Sequence, residues 1–125
     1  MDHRKVLEVF LESITLARLI VDLITDKKGE DIVLMDLRDV SLIADYFIIA
    51  SAGSDRQLNA LVDNIRDEVK KQHQTYPLRV EGRGEDGWIL MDYSDVVVHL
   101  FSPELRTYYD LEGLWRDANV LVHVQ

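Results

Sequence analysis

The run Ile32-Val33-Leu34-Met35 offers water no polar side chain. Side chains along a strand alternate between the two faces of a sheet. A strand that is apolar on both faces must be covered on both. That run therefore demands layers, a sheet with other elements packed against it, and a strand from Asp31 to Leu37 is predicted around it. With 125 residues and nearly half of them apolar, the chain suits one packed domain. No linker-like run of Pro, Gly or Ser divides it.

The rest of the pattern supplies the covering layers. His3 to Asp26 reads as a helix, because Val6, Leu7, Phe10, Ile14, Ala17, Val21 and Ile24 recur at three- and four-residue steps. Lys27-Lys28 suit its last turn, and Gly29 is expected to close it in a left-handed conformation. Val9, Leu16, Leu19, Ile20 and Leu23 widen the stripe, which favours a helix buried on two sides over a dimer or partner face. Ser41 to Ala44 reads as one helical turn and Asp45 to Ala52 as a second strand. Ser54 and Gln57 form a capping box for a second helix, with Leu58, Leu61, Val62, Ile65 and Val69 as its core stripe. Three strands follow at Leu78–Gly82, Trp88–Asp92 and Val96–Phe101, the last two joined by a tight turn over 92–95. Pro103 opens a short helix from Glu104 to Trp115, and Leu121 to Val124 offers a last short strand. The expected fold is a single α/β domain, a mixed sheet flanked by helices. Residues 1–29 form its N-terminal helix, 30–118 its core and 119–125 a tail.

Charge and composition exclude several functions. The formal net charge is −9, and no basic run of five residues occurs. Nucleic-acid affinity comes largely from lysine and arginine displacing counterions, so direct nucleic-acid binding is disfavoured. A basic protein is the better partner, although acidity also serves solubility alone. The chain has no cysteine, which removes disulfides, thiolate catalysis and cysteine metal sites together and fits a reducing, cytoplasmic location. Apolar stretches such as Tyr46 to Ala52 are too short to span a bilayer. Acidic residues interrupt the first segment, unlike a signal or transit peptide.

Most motifs that suggest chemistry lack their context. Gly82 to Gly87 matches G-x-G-x-x-G, but a strand follows it where the dinucleotide fingerprint needs a helix, and Glu85 and Asp86 would repel phosphate. It reads as a flexible hairpin loop. Gly53-Ser54 opening a helix is similar to the nucleotidyltransferase pattern, yet the magnesium-binding acidic pair on a following strand is missing. Asp63 and Asp67 lie on the helix, and Asp92 and Asp95 flank a turn. His3, His73, His99 and His123 have no metal-ligand spacing. His99 shares a strand face with Val97 and Phe101, which fits a structural or interface histidine. No serine has a G-x-S-x-G setting. No cofactor is expected, and the chain reads as a binding protein, not an enzyme, with a degenerate nucleotidyltransferase-like enzyme or a homodimeric interaction module as the alternatives.

One region is suggestive. Trp88, Tyr93, Tyr108, Tyr109 and Trp115 hold both tryptophans and three of the five tyrosines. Alternation puts Trp88, Leu90 and Asp92 on one strand face and Ile89, Met91 and Tyr93 on the other. Aromatics beside acids are typical of interface anchors. An aromatic-rich edge of the core explains them equally well.

The chain resembles the Iojap-like ribosome silencing factor family. The match runs through Ala44 to Ser51, Ser54 with Arg56-Gln57, Val80 to Gly82, Gly87 to Tyr93 and Asp95 to Phe101. It continues with Glu104, Arg106, Tyr109, Leu111-Glu112 and Leu114-Trp115. Ser94 stands where glycine is common in the family, and the stretch after Trp115 has no match. The resemblance implies a fold similar to nucleotidyltransferases without the catalytic acids. It also implies binding to the fourteenth protein of the large ribosomal subunit, which blocks subunit joining when nutrients fall. The implied contact residues are Trp88, Asp92, Tyr93 and Tyr109. Glu104 and Asp110 are added here as charges against a basic partner, and a homodimer is the remaining option for self-association.

Overall fold

The structure, a computed structural model, describes residues 11–125. The part of the first predicted helix that falls on residues 3–10 lies outside them. The described elements are α1 (Ser13–Asp26), β1 (Glu30–Asp36), β2 (Tyr46–Ser51), α2 (Asp55–His73) and β3 (Arg79–Glu81). They continue with β4 (Trp88–Asp92), β5 (Val96–Phe101), α3 (Pro103–Tyr109), α4 (Leu111–Leu114) and β6 (Asn119–Val124). The six strands form one mixed sheet in the order β3-β4-β5-β2-β1-β6. Among the described strands only β2 and β5 pair in parallel, with α2, β3 and β4 between them in the chain.

The sheet is covered on both faces, as the Ile32–Met35 run requires. Ile32, Leu34, Ile48, Ala50, Ile89, Met91, Val98 and Leu100 turn to one face and pack with α1 and α2. Val33, Met35, Ile49 and Phe101 turn to the other, where Leu105, Leu111, Trp115 and Ala118 cover them. Helix α1 buries Leu16, Ala17, Ile20, Val21, Leu23 and Ile24. This wide stripe fits a helix packed against both the sheet and α2. The five-residue stripe predicted for α2 is its buried set. Ser54 caps that helix by accepting from the Gln57 N–H, and Gln57 Oε1 reaches back to the Gly53 N–H.

Several local expectations change. Lys28, not Gly29, takes the left-handed conformation after α1, at φ 64°. Glycine is needed at 29 for space, because a Cβ there would collide with the Ile24 side chain. Ser41 to Ala44 makes no helical turn: Leu37 closes a tight bend by accepting the N–H groups of Val40 and Ser41. The single helix expected over Glu104 to Trp115 breaks into α3 and α4. Asp110 adopts φ 46°, and its carboxylate then caps α4 at the Gly113 N–H. The loop over Gly82 to Gly87 does connect two antiparallel strands, but it is anchored. It contains a 3₁₀ turn (Gly84–Asp86), and the Gly84 N–H donates to Asn59 Oδ1 at 2.8 Å.

The segment 119–125 is not a tail. Six of its residues form β6, antiparallel to β1 from Ile32↔Val124 to Asp36↔Asn119. His123 Nε2 lies 2.7 Å from Asp31 Oδ1 and fastens that edge. Periodicity underestimated this strand because none of Asn119–Val124 is fully buried.

The turn between β4 and β5 carries a testable strain. Ser94 sits at φ 75°, a conformation that glycine adopts freely. The bond from its N–H to Asp92 Oδ1 uses the backbone and would survive substitution. Relief of the left-handed strain, about 1–2 kcal/mol, outweighs the extra unfolded-state entropy of glycine, about 0.5–1 kcal/mol. Ser94→Gly is therefore expected to raise the urea midpoint, by the equivalent of about 0.5–1 kcal/mol. A lower midpoint would mean that the serine hydroxyl contributes more than the strain costs.

Candidate functional site

The face opposite α1 and α2 is only partly covered. α3, α4 and Trp115 shield its β1–β2 side and the end of β5 at Phe101. Over β4, β5 and the start of β2 it stays open as a groove of about 280 Å³. Phe47, Leu90, Val97 and His99 line it, and Ile43, Leu78, Arg79, Asp92 and Ser94 surround them. Ile43 and Leu78 are largely exposed, as is Leu42 beside them.

At one end of this face stands an aromatic cluster. Trp88 stacks on Phe101 with ring centroids 5.0 Å apart and meets Tyr109 of α3 at 4.6 Å. Tyr109 meets Tyr108 edge to face at 5.1 Å. Trp88 Nε1–H donates to His99 Nδ1 at 3.2 Å, and Phe47 packs edge-on against the same imidazole. Trp88 is half-buried, while Tyr109 is 45% exposed and Tyr108 more so. His99 is 4% exposed, and its Nε2 has no hydrogen-bond partner. Burial pushes its pKa down to about 4, so the ring is neutral at pH 7.

Asp92 lies at the other end of the groove, on the same strand face as Trp88. Its Oδ2 accepts from Arg79 Nε at 3.2 Å, and its Oδ1 from the Ser94 N–H. Asp92 thus holds the turn as well as presenting charge. Glu104 is exposed and, with Asp55, Glu85 and Asp86, lines a separate acidic depression. Asp110 is occupied as the cap of α4.

Tyr93 does not belong to this face. It is 7% exposed and packs into the core beneath the helices, beside Met91 and Val96. Strand alternation requires this, since Trp88, Leu90 and Asp92 already point the other way. The contact set implied by resemblance is therefore corrected: Trp88, Asp92 and Tyr109 share a face, and Tyr93 is a core residue. Its hydroxyl is buried without a partner, and desolvation raises its pKa to about 12.

Arg106 is the residue that periodicity gave no reason to select. Only 8% exposed, it joins α3, α4 and the sheet. Its Nη1 donates to the Asp31 carbonyl at 2.5 Å and to Ser51 Oγ at 2.9 Å, and its Nε to Glu112 Oε1 at 3.0 Å. This clamp fixes the helix from which Tyr109 reaches Trp88. Among the described residues, no group of three or more His, Asp or Glu side chains is arranged to hold a metal ion.

A family model described as "Ribosomal silencing factor during starvation" matches residues 11–125. The chain belongs to this family. The match includes the stretch after Trp115, which accords with β6 being part of the sheet. The chain is 43% identical over 93 residues to the ribosomal silencing factor of Bacillus subtilis, covering 74% of this chain and 78% of the relative. It is 32% identical over 100 residues to a mouse protein named "Mitochondrial assembly of ribosomal large subunit protein 1". That match spans 78% of this chain and 43% of the mouse protein. A crystal structure of a Chromobacterium violaceum protein superposes with a TM-score of 0.80 at 32% identity, covering 85% of this chain and 88% of the other. The fold is thus that of solved structures at appreciable sequence identity, and its role is that of a ribosomal silencing factor.

Proposed function

We propose that this silencing factor binds the large ribosomal subunit through its fourteenth protein, in the cytoplasm, and so prevents the small subunit from joining. The observation that carries this reading is the Trp88–Tyr109 pair, half-exposed on an open sheet face in line with Asp92. Aromatic anchors of this kind dominate binding energy at interfaces. The net charge of −9 favours a basic protein over phosphate as the surface contacted. The mouse relative, named for large-subunit assembly, points to the same subunit. Such repression requires no catalysis. A folded body held over the joining surface excludes the other subunit by volume, provided it binds tightly enough to compete.

The test is co-sedimentation with purified large subunits, alongside a subunit-joining assay. Tyr109→Ala is the cleaner probe, because Tyr109 is the more exposed of the pair. Each of Trp88→Ala and Tyr109→Ala is expected to weaken binding at least about thirtyfold, the effect of losing roughly 2 kcal/mol from a central anchor. Asp92→Lys is expected to be worse, since it adds repulsion and also removes the acceptor that holds the Ser94 turn. Leu61→Ala, a core change on α2, should lower the melting temperature without altering binding by folded molecules. Wild-type binding by a folded Tyr109→Ala protein would place the partner surface elsewhere.

A further inference from the structure

We infer that His99 is a positioning residue for Trp88: by accepting the indole N–H it fixes which edge and face of the ring meet a partner. The inference rests on Trp88 being an anchor and adds how that anchor is set.

Trp88 has three aromatic neighbours on this face. Its contacts with Phe101 and Tyr109 are ring against ring. Such contacts tolerate sliding and reversal of the indole, because either face presents similar apolar area. The bond from Nε1–H to His99 Nδ1 is the directional one. Turning the indole over would leave the N–H without this acceptor and bring a C–H edge to it.

His99 is itself held firmly. It lies in β5, opposite Leu90 of β4 in register, and the Phe47 ring packs edge-on at 4.7 Å. Because Nδ1 accepts, the proton of the neutral ring resides on Nε2. No apolar residue could make this bond. A histidine kept merely to fill the core would serve as well if replaced by leucine, and that difference separates the two roles.

The full-length chain carrying His99→Leu, His99→Asn or His99→Gln would be compared in two measurements. One is the indole ¹⁵N–¹H spectrum, with Trp88 distinguished from Trp115 by Trp88→Phe. The other is affinity for large subunits. Asparagine offers an acceptor near the Nδ1 position, whereas glutamine offers one nearer Nε2 and leucine none. His99→Asn is expected to keep the Trp88 resonance near its wild-type position and to bind within about threefold of wild type, one lost hydrogen bond being worth roughly tenfold. His99→Leu and His99→Gln should shift that resonance and bind about tenfold more weakly. If the leucine variant fails to fold, the asparagine–glutamine comparison decides. Equal resonances and equal affinities across the folded variants would overturn the inference. Should Trp88→Ala bind like wild type, the anchor reading fails instead, and the indole spectrum still reports whether His99 sets the ring.

Discussion

Arg106→Ala is expected to destabilise the protein by about 3 kcal/mol. The guanidinium is almost wholly buried and donates to two acceptors that no other described side chain reaches, the Asp31 carbonyl and Ser51 Oγ. Hydrogen bonds from a charged group contribute about 1.5–3 kcal/mol each. Ser51 is itself buried, so its hydroxyl would lose its partner without regaining water. The ion pair with Glu112 adds less, because the Glu112 side chain is 38% exposed and returns to solvent when the arginine goes. Glu112→Gln, which keeps an acceptor, should therefore cost less than Arg106→Ala in urea unfolding. If the glutamine change cost more, Coulomb attraction between α3 and α4, and not the two bonds to the sheet, would be the main contribution of the clamp. Arg106→Ala should also weaken partner binding, because α3 carries Tyr109 to its place against Trp88.

The architecture was legible where burial is one-sided or continuous. The α2 stripe and the fully apolar β1 run each have one physical solution, and the structure adopts it; of the capping box it keeps the Ser54 cap, while Gln57 reaches the Gly53 N–H instead of that of Ser54. What escaped the sequence depends on backbone detail or on distant contacts. Asp110 breaks the last helix through a left-handed conformation that periodicity does not register. Lys28 takes the positive φ that glycine was expected to take, because Gly29 is reserved for close approach to Ile24. β6 is an edge strand with much of its surface in water, so it lacks the apolar alternation by which strands are recognised.

The site was legible in part for the same reasons. Alternation along β4 already separated Trp88 and Asp92 from Tyr93, but the resemblance grouped all three, and only burial separates them again. Arg106 forms bonds across 75 and 55 positions of sequence. Nothing local distinguishes it from a solvated arginine on a short helix. Ile43 and Leu78 flank the groove from loops, where the sequence pattern suggested a helical turn and the start of a strand.

Acidification should expose the cost of keeping His99 neutral. Its pKa falls from 6.5 to about 4 because burial removes water from the charged form. Arg79 and Asp92, which line the same groove, pair with each other. The unfolded chain binds a proton at position 99 below pH 6.5, whereas the folded chain resists until about pH 4. Across that window the unfolded state holds more protons, so stability rises with pH and is lost as pH falls. The loss approaches on the order of 3 kcal/mol by the lower end of the window. Asp31 and Asp36 contribute in the same direction but later. A hydrogen bond with the His123 side chain holds Asp31 below the ordinary carboxylate range, and one with the Arg38 side chain does the same for Asp36. Their stabilisation is present above that range and disappears only below it. Urea unfolding between pH 7 and 4 should therefore show a slope that His99→Asn largely removes. Relative to the wild type, the asparagine variant is expected to gain stability as pH falls from 7 to 4. An unchanged slope in His99→Asn would show that the imidazole takes up its proton in the folded protein without penalty, and that the Trp88–His99 bond is not sealed from water.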